Sequence, residues 1–289
     1  SYVAICYVFL GLLCHVCFVL YLYFIFNPSP CPRLEVDLDQ KLFGQHIASR
    51  VILKAITGFM NNKTSKMPLV PSLHGWTGTG KNFVSQLITE NIYKEGMASR
   101  FIHQFVSTNV NVFCGYSKLQ QSIKGKVTNC PRSMFIFDDM DKMDPDLIDC
   151  IKPYLDYYQN LDGVFYYKIV QVALDFWRAG RDREMELKDL ETPLSLSVFN
   201  KQSKPAVHYH SLDALLVDFF VPFLPLEYKH CLMCGMAEMT AKGLKPNQEV
   251  ANQMARELIY FPETEKLFSV KGCKTISSKL DHYTVLQSE

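Results

Sequence analysis

From Tyr2 to Phe26 the chain reads YVAICYVFLGLLCHVCFVLYLYFIF, an apolar run with no Asp, Glu, Lys or Arg, in which His15 is the only ionisable group apart from cysteines and tyrosines. At a rise of 1.5 Å per residue a run of this kind can cross a hydrocarbon core of about 30 Å. It is too long for the apolar part of a signal peptide, and it lacks a basic start and a small-residue cleavage site. The pattern therefore predicts an uncleaved membrane anchor, with a buried hairpin or a non-native start as the alternatives. Only Arg33 lies close by, so charge bias does not orient it. The segment NPSPCPR (27–33) breaks the run and reads as a linker.

Beyond the linker the periodicity changes. In LFGQHIASRVILKAITGFMNN the apolar positions Ile47, Val51, Ile52, Ala55, Ile56 and Phe59 recur at helix spacing. PLVPSLHG reads as a short buried strand with Pro71 inside it, and NFVSQLITENIYKEG as a helix closed by Gly96. FIHQFVS and SMFIF are further strands, separated by a helical YSKLQQSIKG. PDLIDCIKPYLDYY is helical with Pro145 in its first turn, and NLDGVFYY carries an Asp-Gly turn. From Ser211 the pattern becomes helical throughout: SLDALLVDFF, PLEYKHCLMCGMAEMTAKG, and NQEVANQMARELIYF with Val250, Met254 and Leu258 spaced by four. Strands alternating with helices, then helices alone, predict an α/β domain with a small helical lid. The expected division is 1–33 membrane-like segment and linker, 34–210 nucleotide-binding domain, and 211–289 C-terminal helical domain.

Composition adds little to this picture. A net charge of +1 with 20% charged residues excludes a strongly basic nucleic-acid binder and an acidic tail. Of the ten cysteines, Cys231 and Cys234 form a C-x-x-C, but no second pair follows at zinc spacing. Cys6, Cys14 and Cys17 lie in the apolar run, and the seven left over suffice for two disulfides in an oxidising compartment. Asn62, in NKT, is a glycosylation sequon.

The chemistry lies in GWTGTGKN (Gly75–Asn82), a G-x-x-x-x-G-K loop between a strand and a helix. Such a loop turns backbone N–H groups toward phosphate oxygens, and the helix N-terminus adds positive potential. Lys81 would reach the outer phosphates. Asn82 stands where a Ser or Thr ordinarily holds Mg²⁺, and an amide oxygen can do the same. Further on, MFIFDD is an apolar strand ending in paired acids. In a P-loop ATPase the first, Asp138, holds the magnesium shell, while the second, Asp139, orients the attacking water.

SLHGWTGTGKNFVSQLITENIY, FIFDDMDKM, IKPYLDYY, ALDFWRAGR, VPFLPLEYKH and KGCKT together resemble the torsins, AAA+ ATPases of the endoplasmic reticulum lumen and nuclear envelope. The resemblance runs from about Leu34 to Tyr283 and is greatest to the 1A/1B type. It implies a P-loop AAA+ fold followed by a small helical domain, with ATP and Mg²⁺ as cofactors. Gly75, Trp76, Thr77, Gly78, Thr79, Gly80, Lys81 and Asn82 correspond to Walker A, Asp138 and Asp139 to Walker B, and Lys274 to the sensor-II lysine. It also implies a redox pair Cys234–Cys273 and a second disulfide Cys31–Cys130. Partners would be other torsins in homo- or hetero-oligomers, and the luminal domains of lamina-associated polypeptide 1 and its endoplasmic-reticulum relative, which supply an arginine finger. Arg178, Arg181 and Arg183 of this chain read instead as a solvated helix face.

The sequence departs from the torsin pattern in ways that bear on activity. Asp139 replaces a glutamate, and a carboxylate about 1 Å out of place can cost on the order of 10²-fold in rate. Between DGVFYYK and VALDFWR, where torsins carry a central strand ending in a sensor-I asparagine, only IVQ remains. That loss predicts a gap in the middle of the sheet, which another segment must fill if the domain is to be stable. Two readings follow: a torsin-like ATPase that remodels protein or membrane assemblies, and an impaired pseudoenzyme that occupies cofactor proteins or mixed torsin rings. A small-molecule P-loop kinase is a remote third, since the helical tail has no part in such a fold.

Overall fold

The computed structural model describes residues 3–8, 30–62, 68–106, 116–129, 132–138, 164–191 and 218–286. In chain order they form β1 (Val3–Val8), α1 (Pro30–Lys41), α2 (His46–Asn61), β2 (Pro71–Gly75), α3 (Lys81–Ile92), β3 (Ile102–Val106), α4 (Tyr116–Asn129), β4 (Ser133–Asp138) and α5 (Val164–Arg178). They continue with β5 (Phe219–Phe223), α6 (Tyr228–Ala241), α7 (Gln248–Arg256), the short pair β6 (Tyr260–Phe261) and β7 (Phe268–Ser269), and α8 (Ile276–Leu286).

The main sheet has the order β3-β4-β1-β2-β5. β3 runs parallel to β4, and β2 parallel to β5. These two half-sheets are joined by β1, which is antiparallel to both neighbours, with Val3 level with both Asp138 and Leu73. The gap expected from the missing strand is thus filled, and from an unexpected source. Val3–Val8 belongs to the run read as a membrane anchor, and for this part of it the reading is corrected: VAICYV forms a central strand instead of the start of a spanning helix. An unbroken apolar stretch is what a sheet interior covered on both faces demands, and periodicity alone does not distinguish the two. Residues 9–29 lie outside the described set. Among the described residues no helix is long and apolar enough to cross a membrane.

Other expectations are adjusted in detail. Pro71 is the first residue of β2 and so does not interrupt it; proline is tolerated at a strand start. The linker ends early, because α1 already begins at Pro30, and proline suits a first helical turn. Cys31 falls in that turn as a half-buried free thiol, and Cys130, its expected disulfide partner, lies outside the described residues. The helix expected from Ser211 gives way at Phe219–Phe223 to β5, whose consecutive apolar residues pair with β2. The helix after the glycine loop stops at Ile92, before Gly96. Val164–Arg178 forms one continuous helix with IVQ at its centre. The helix expected over 145–158 lies outside the described residues.

Two apolar regions result. The larger gathers Leu34 and Leu38 of α1, the Ile47–Ile56 stripe of α2, Leu87 and Ile88 of α3, Ile136 of β4, Leu174 of α5 and Phe223 of β5. The smaller lies among α6, α7 and α8, with Cys231, Ala255 and Ile276 in one cluster and Met239, Met254 and Leu280 in the next. Side-chain caps start two of these helices. Glu227 and His230 form a capping box on α6, and Asn247 accepts from the amides of Glu249 and Val250 at the head of α7.

Candidate functional site

β2 ends at Gly75, and the chain turns through Trp76–Gly80 directly into α3, whose first residue is Lys81. The hydroxyl of Thr79 donates to the Trp76 carbonyl at 2.8 Å and braces the loop. Lys81 is 4% exposed, and its ammonium donates to the carbonyls of Gly75 (2.9 Å) and Trp76 (2.7 Å). One residue before Gly75, His74 is buried near the end of β2. Burial, and then the charge of Lys81, push its pKa down to about 3, so it stays neutral and adds no charge to the loop's floor.

Asn82 and Asp138 meet at the open side. The Asn82 amide donates to Oδ2 of Asp138 at 2.6 Å, bringing together the two residues expected to hold magnesium. Rotating the amide by half a turn would set its oxygen beside the carboxylate, a pair of oxygen donors of the kind a hard cation takes. Asp139 lies outside the described residues.

The turn before α8 leans onto the loop from the other side. The Cys273 N–H donates to the Gly78 carbonyl (3.0 Å), and the Trp76 indole donates to the Val270 carbonyl (2.5 Å). Here the backbones themselves touch. A Cβ on Gly78 would lie 2.0 Å from the Lys271 carbonyl oxygen, and one on Gly272 would lie 2.3 Å from that of Gly78. With φ at +70° and +51°, both positions require glycine. Cys234 of α6 is disulfide-bonded to Cys273 in this turn.

Between loop and helices lies a cavity of about 860 Å³, within the size range of small-molecule sites. Leu42 and Phe43 line one wall, Thr77–Asn82 and Asp138 the floor, and Ala237 and Lys274 the roof. The loop residues Thr77–Asn82 therefore share one cavity with Asp138, Lys274 and the disulfide. Asn62 lies apart, exposed at the C-terminus of α2.

Two residues near the cavity carried no signal in the sequence reading. Gln45, 1% exposed, donates from its amide to the carbonyls of Thr79 (3.1 Å) and Leu224 (2.8 Å) and accepts from the Leu224 N–H (2.7 Å). Arg183, read as solvated, is in fact largely enclosed. It bonds the Glu227 carboxylate (2.5 Å) and the carbonyls of Gly44 (3.1 Å) and Pro225 (2.5 Å), with φ at +58°. The solvated reading suits Arg178 and Arg181, whose partners Glu265 and Glu184 form exposed pairs of the kind worth about 1 kcal/mol or less. No motif marks a buried glutamine, and Arg183 sits in a charged run that looks like surface.

A strand–glycine loop–helix unit, faced across β1 by the carboxylate at the end of β4 and roofed by helices, marks a mixed α/β protein. The torsin family profile matches residues 19–137, and the profile described as Torsin-1A, C-terminal domain matches residues 226–283. The chain belongs to the torsin family, and through it to the AAA+ ATPase superfamily.

Proposed function

We propose that the chain binds ATP with Mg²⁺ in the 860 Å³ cavity and acts as a torsin-type ATPase of the endoplasmic reticulum and nuclear envelope lumen. The observation that carries this reading is the convergence of Lys81, the Asn82–Asp138 pair and Lys274 on one cavity. The loop amides and the α3 N-terminus receive phosphate oxygens, and Lys81 exchanges the carbonyls of Gly75 and Trp76 for the outer phosphates. Asn82 and Asp138 hold the metal, whose contribution when bound is to neutralise charge on the phosphates. Leu42, Phe43 and Ala237 offer apolar surface to a base, and Lys274 approaches from the roof. The nucleotide-binding domain then extends past residue 210 to include β5, and the helices from Tyr228 onward form the lid. The arginine finger comes from a partner's luminal domain, and the work is remodelling of protein or membrane assemblies within homo- or hetero-oligomers of torsins.

The second reading, a pseudoenzyme that binds nucleotide without turning it over, is favoured by one residue, Asp139 in place of glutamate. Partner-stimulated turnover of wild type, K81A and D139E separates the two. For an active enzyme, K81A abolishes both nucleotide binding and turnover, and D139E raises turnover by up to roughly 10²-fold. Binding retained in K81A contradicts the site. Turnover that stays at zero in D139E, with binding intact, makes the chain a pseudoenzyme.

A further inference from the structure

We propose that Gln45 is a positioning residue for the nucleotide site, tying the crown of the glycine loop to the start of the connection that leads into the lid. The proposal rests on the nucleotide-site reading above. Its basis is a full accounting of one buried amide. A glutamine has two N–H donors and one carbonyl oxygen. In Gln45 one donor goes to the Thr79 carbonyl, the other to the Leu224 carbonyl, and the oxygen receives the Leu224 N–H. The exchange with Leu224 goes both ways, as between paired peptides in a sheet. It begins where the β2–β5 ladder stops, at Gly75 and Phe223. β2 departs there into the glycine loop, and the Gln45 side chain takes its place beside the chain leaving β5. The remaining donor reaches across to Thr79 on the departing loop.

The neighbouring residues repeat the connection. Gly44, which precedes Gln45, is held through its carbonyl by Arg183, and the same guanidinium holds Pro225 and Glu227. The segment 44–45 is therefore fastened to 224–227 twice. The Arg183 backbone lies in the left-handed region, a conformation that is strained for a residue other than glycine and persists only where its surroundings hold it. Leu226 and Leu42, on the two sides of this seam, both line the nucleotide cavity. Gln45 does not itself line that cavity, so its effect reaches the phosphates through Thr79, which does. Without its donor the Thr79 carbonyl is left buried and unpaired, and the loop turns to find another partner.

The test compares full-length wild type, Gln45→Glu and Gln45→Met, under oxidising conditions and well below their melting temperatures. Mg-ATP dissociation constants are measured at pH 8, 7 and 6 and expressed relative to wild type at each pH. Glutamate keeps an acceptor for the Leu224 N–H but turns an oxygen toward two carbonyls. Protonation returns one donor. The charged groups around this position are Arg183, Glu227 and His230 across the seam, His46 and Arg50 on α2 and Glu35 and Asp39 on α1 along one groove, and Lys81 beyond the glycine loop. Their own titrations are shared with wild type, so the ratio removes those and leaves the titration of the introduced carboxyl, whose midpoint these neighbours set. The expected result is at least tenfold weaker binding for Gln45→Met at every pH. For Gln45→Glu the same loss is expected at pH 8, recovering toward the wild-type value at pH 6. A residue that only supports the fold would lower the melting temperature and leave both ratios near one. Ratios within threefold of one at pH 8, while wild type binds, overturn the proposal. If Gln45→Met does not fold, the pH course of Gln45→Glu decides alone, and a flat course overturns it. A wild type that binds no Mg-ATP overturns the nucleotide-site reading and this proposal with it.

Discussion

At the scale of single residues the site is arranged by backbone contacts as much as by side chains. The loop's glycines and Lys81 were legible in the sequence because a phosphate cradle needs them at fixed spacing, and Asn82 and Asp138 were legible because an apolar strand ended in acid. Gln45 was not, since its three bonds depend on where residues 79 and 224 come to lie, and no local pattern records that. The Gly78–Gly272 contact was hidden for the same reason: each glycine alone is an ordinary turn residue. His74 carries a consequence for pH. Its native pKa of about 3 lies below the ordinary 6.5, so below about pH 6.5 the unfolded chain takes up a proton that the folded chain refuses. The stabilisation is complete above that value and is lost as pH falls toward 3. Between pH 7 and pH 5 the loss from this residue amounts to about 2 kcal/mol. His230, driven to about 3 by burial and by Arg183, adds in the same direction. Urea denaturation at the two pH values checks this. His74→Phe should lose about 2 kcal/mol less than wild type over that interval, whereas an equal loss would show that His74 titrates normally in the fold.

At the scale of elements the sheet is built from two parallel pairs and one strand running against both. The periodicities of α2 and α7 were plain in the sequence because each buries one stripe, and α3 and α6 were legible from the glycines and proline that bound them. β1 was not. A run of apolar residues satisfies a bilayer and a sheet interior equally, and the choice depends on a vacancy elsewhere in the chain. That vacancy was legible from the IVQ remnant, but the segment that fills it was not. β5 was missed because two adjacent phenylalanines and a preceding helical-looking stretch masked a strand of consecutive apolar residues. Removing β1 would expose the inner edges of β2 and β4, at about 1–3 kcal/mol for each buried backbone group left unpaired. Net stabilities of 5–15 kcal/mol do not withstand several such losses. Ile5 lies opposite Ile136 in the middle of the β1–β4 ladder. Ile5→Pro removes a ladder N–H and should destabilise the protein by about 1–3 kcal/mol for the carbonyl left unpaired, with the ring's misfit in addition, and Ile5→Val by no more than about 1.5 kcal/mol. Equal thermal melts for Ile5→Pro and wild type would contradict the central placement of β1.

At the scale of the whole molecule, a sheet region and a helical region meet over the cavity through three connections. These are the 224–227 segment seamed to residues 44–45, the 270–274 turn resting on the glycine loop, and the disulfide that fastens this turn to α6. Torsin membership rests on matches that cover both regions. The central claim is that one nucleotide is held by both at once. Amide hydrogen exchange of the full chain, oxidised, with and without Mg-ATP, tests it most directly. The account predicts that nucleotide slows exchange together in the glycine loop and the head of α3, at the end of β4, and in the 270–277 segment of the lid. Slowing confined to the loop, with 270–277 unchanged, or no slowing anywhere, would contradict it.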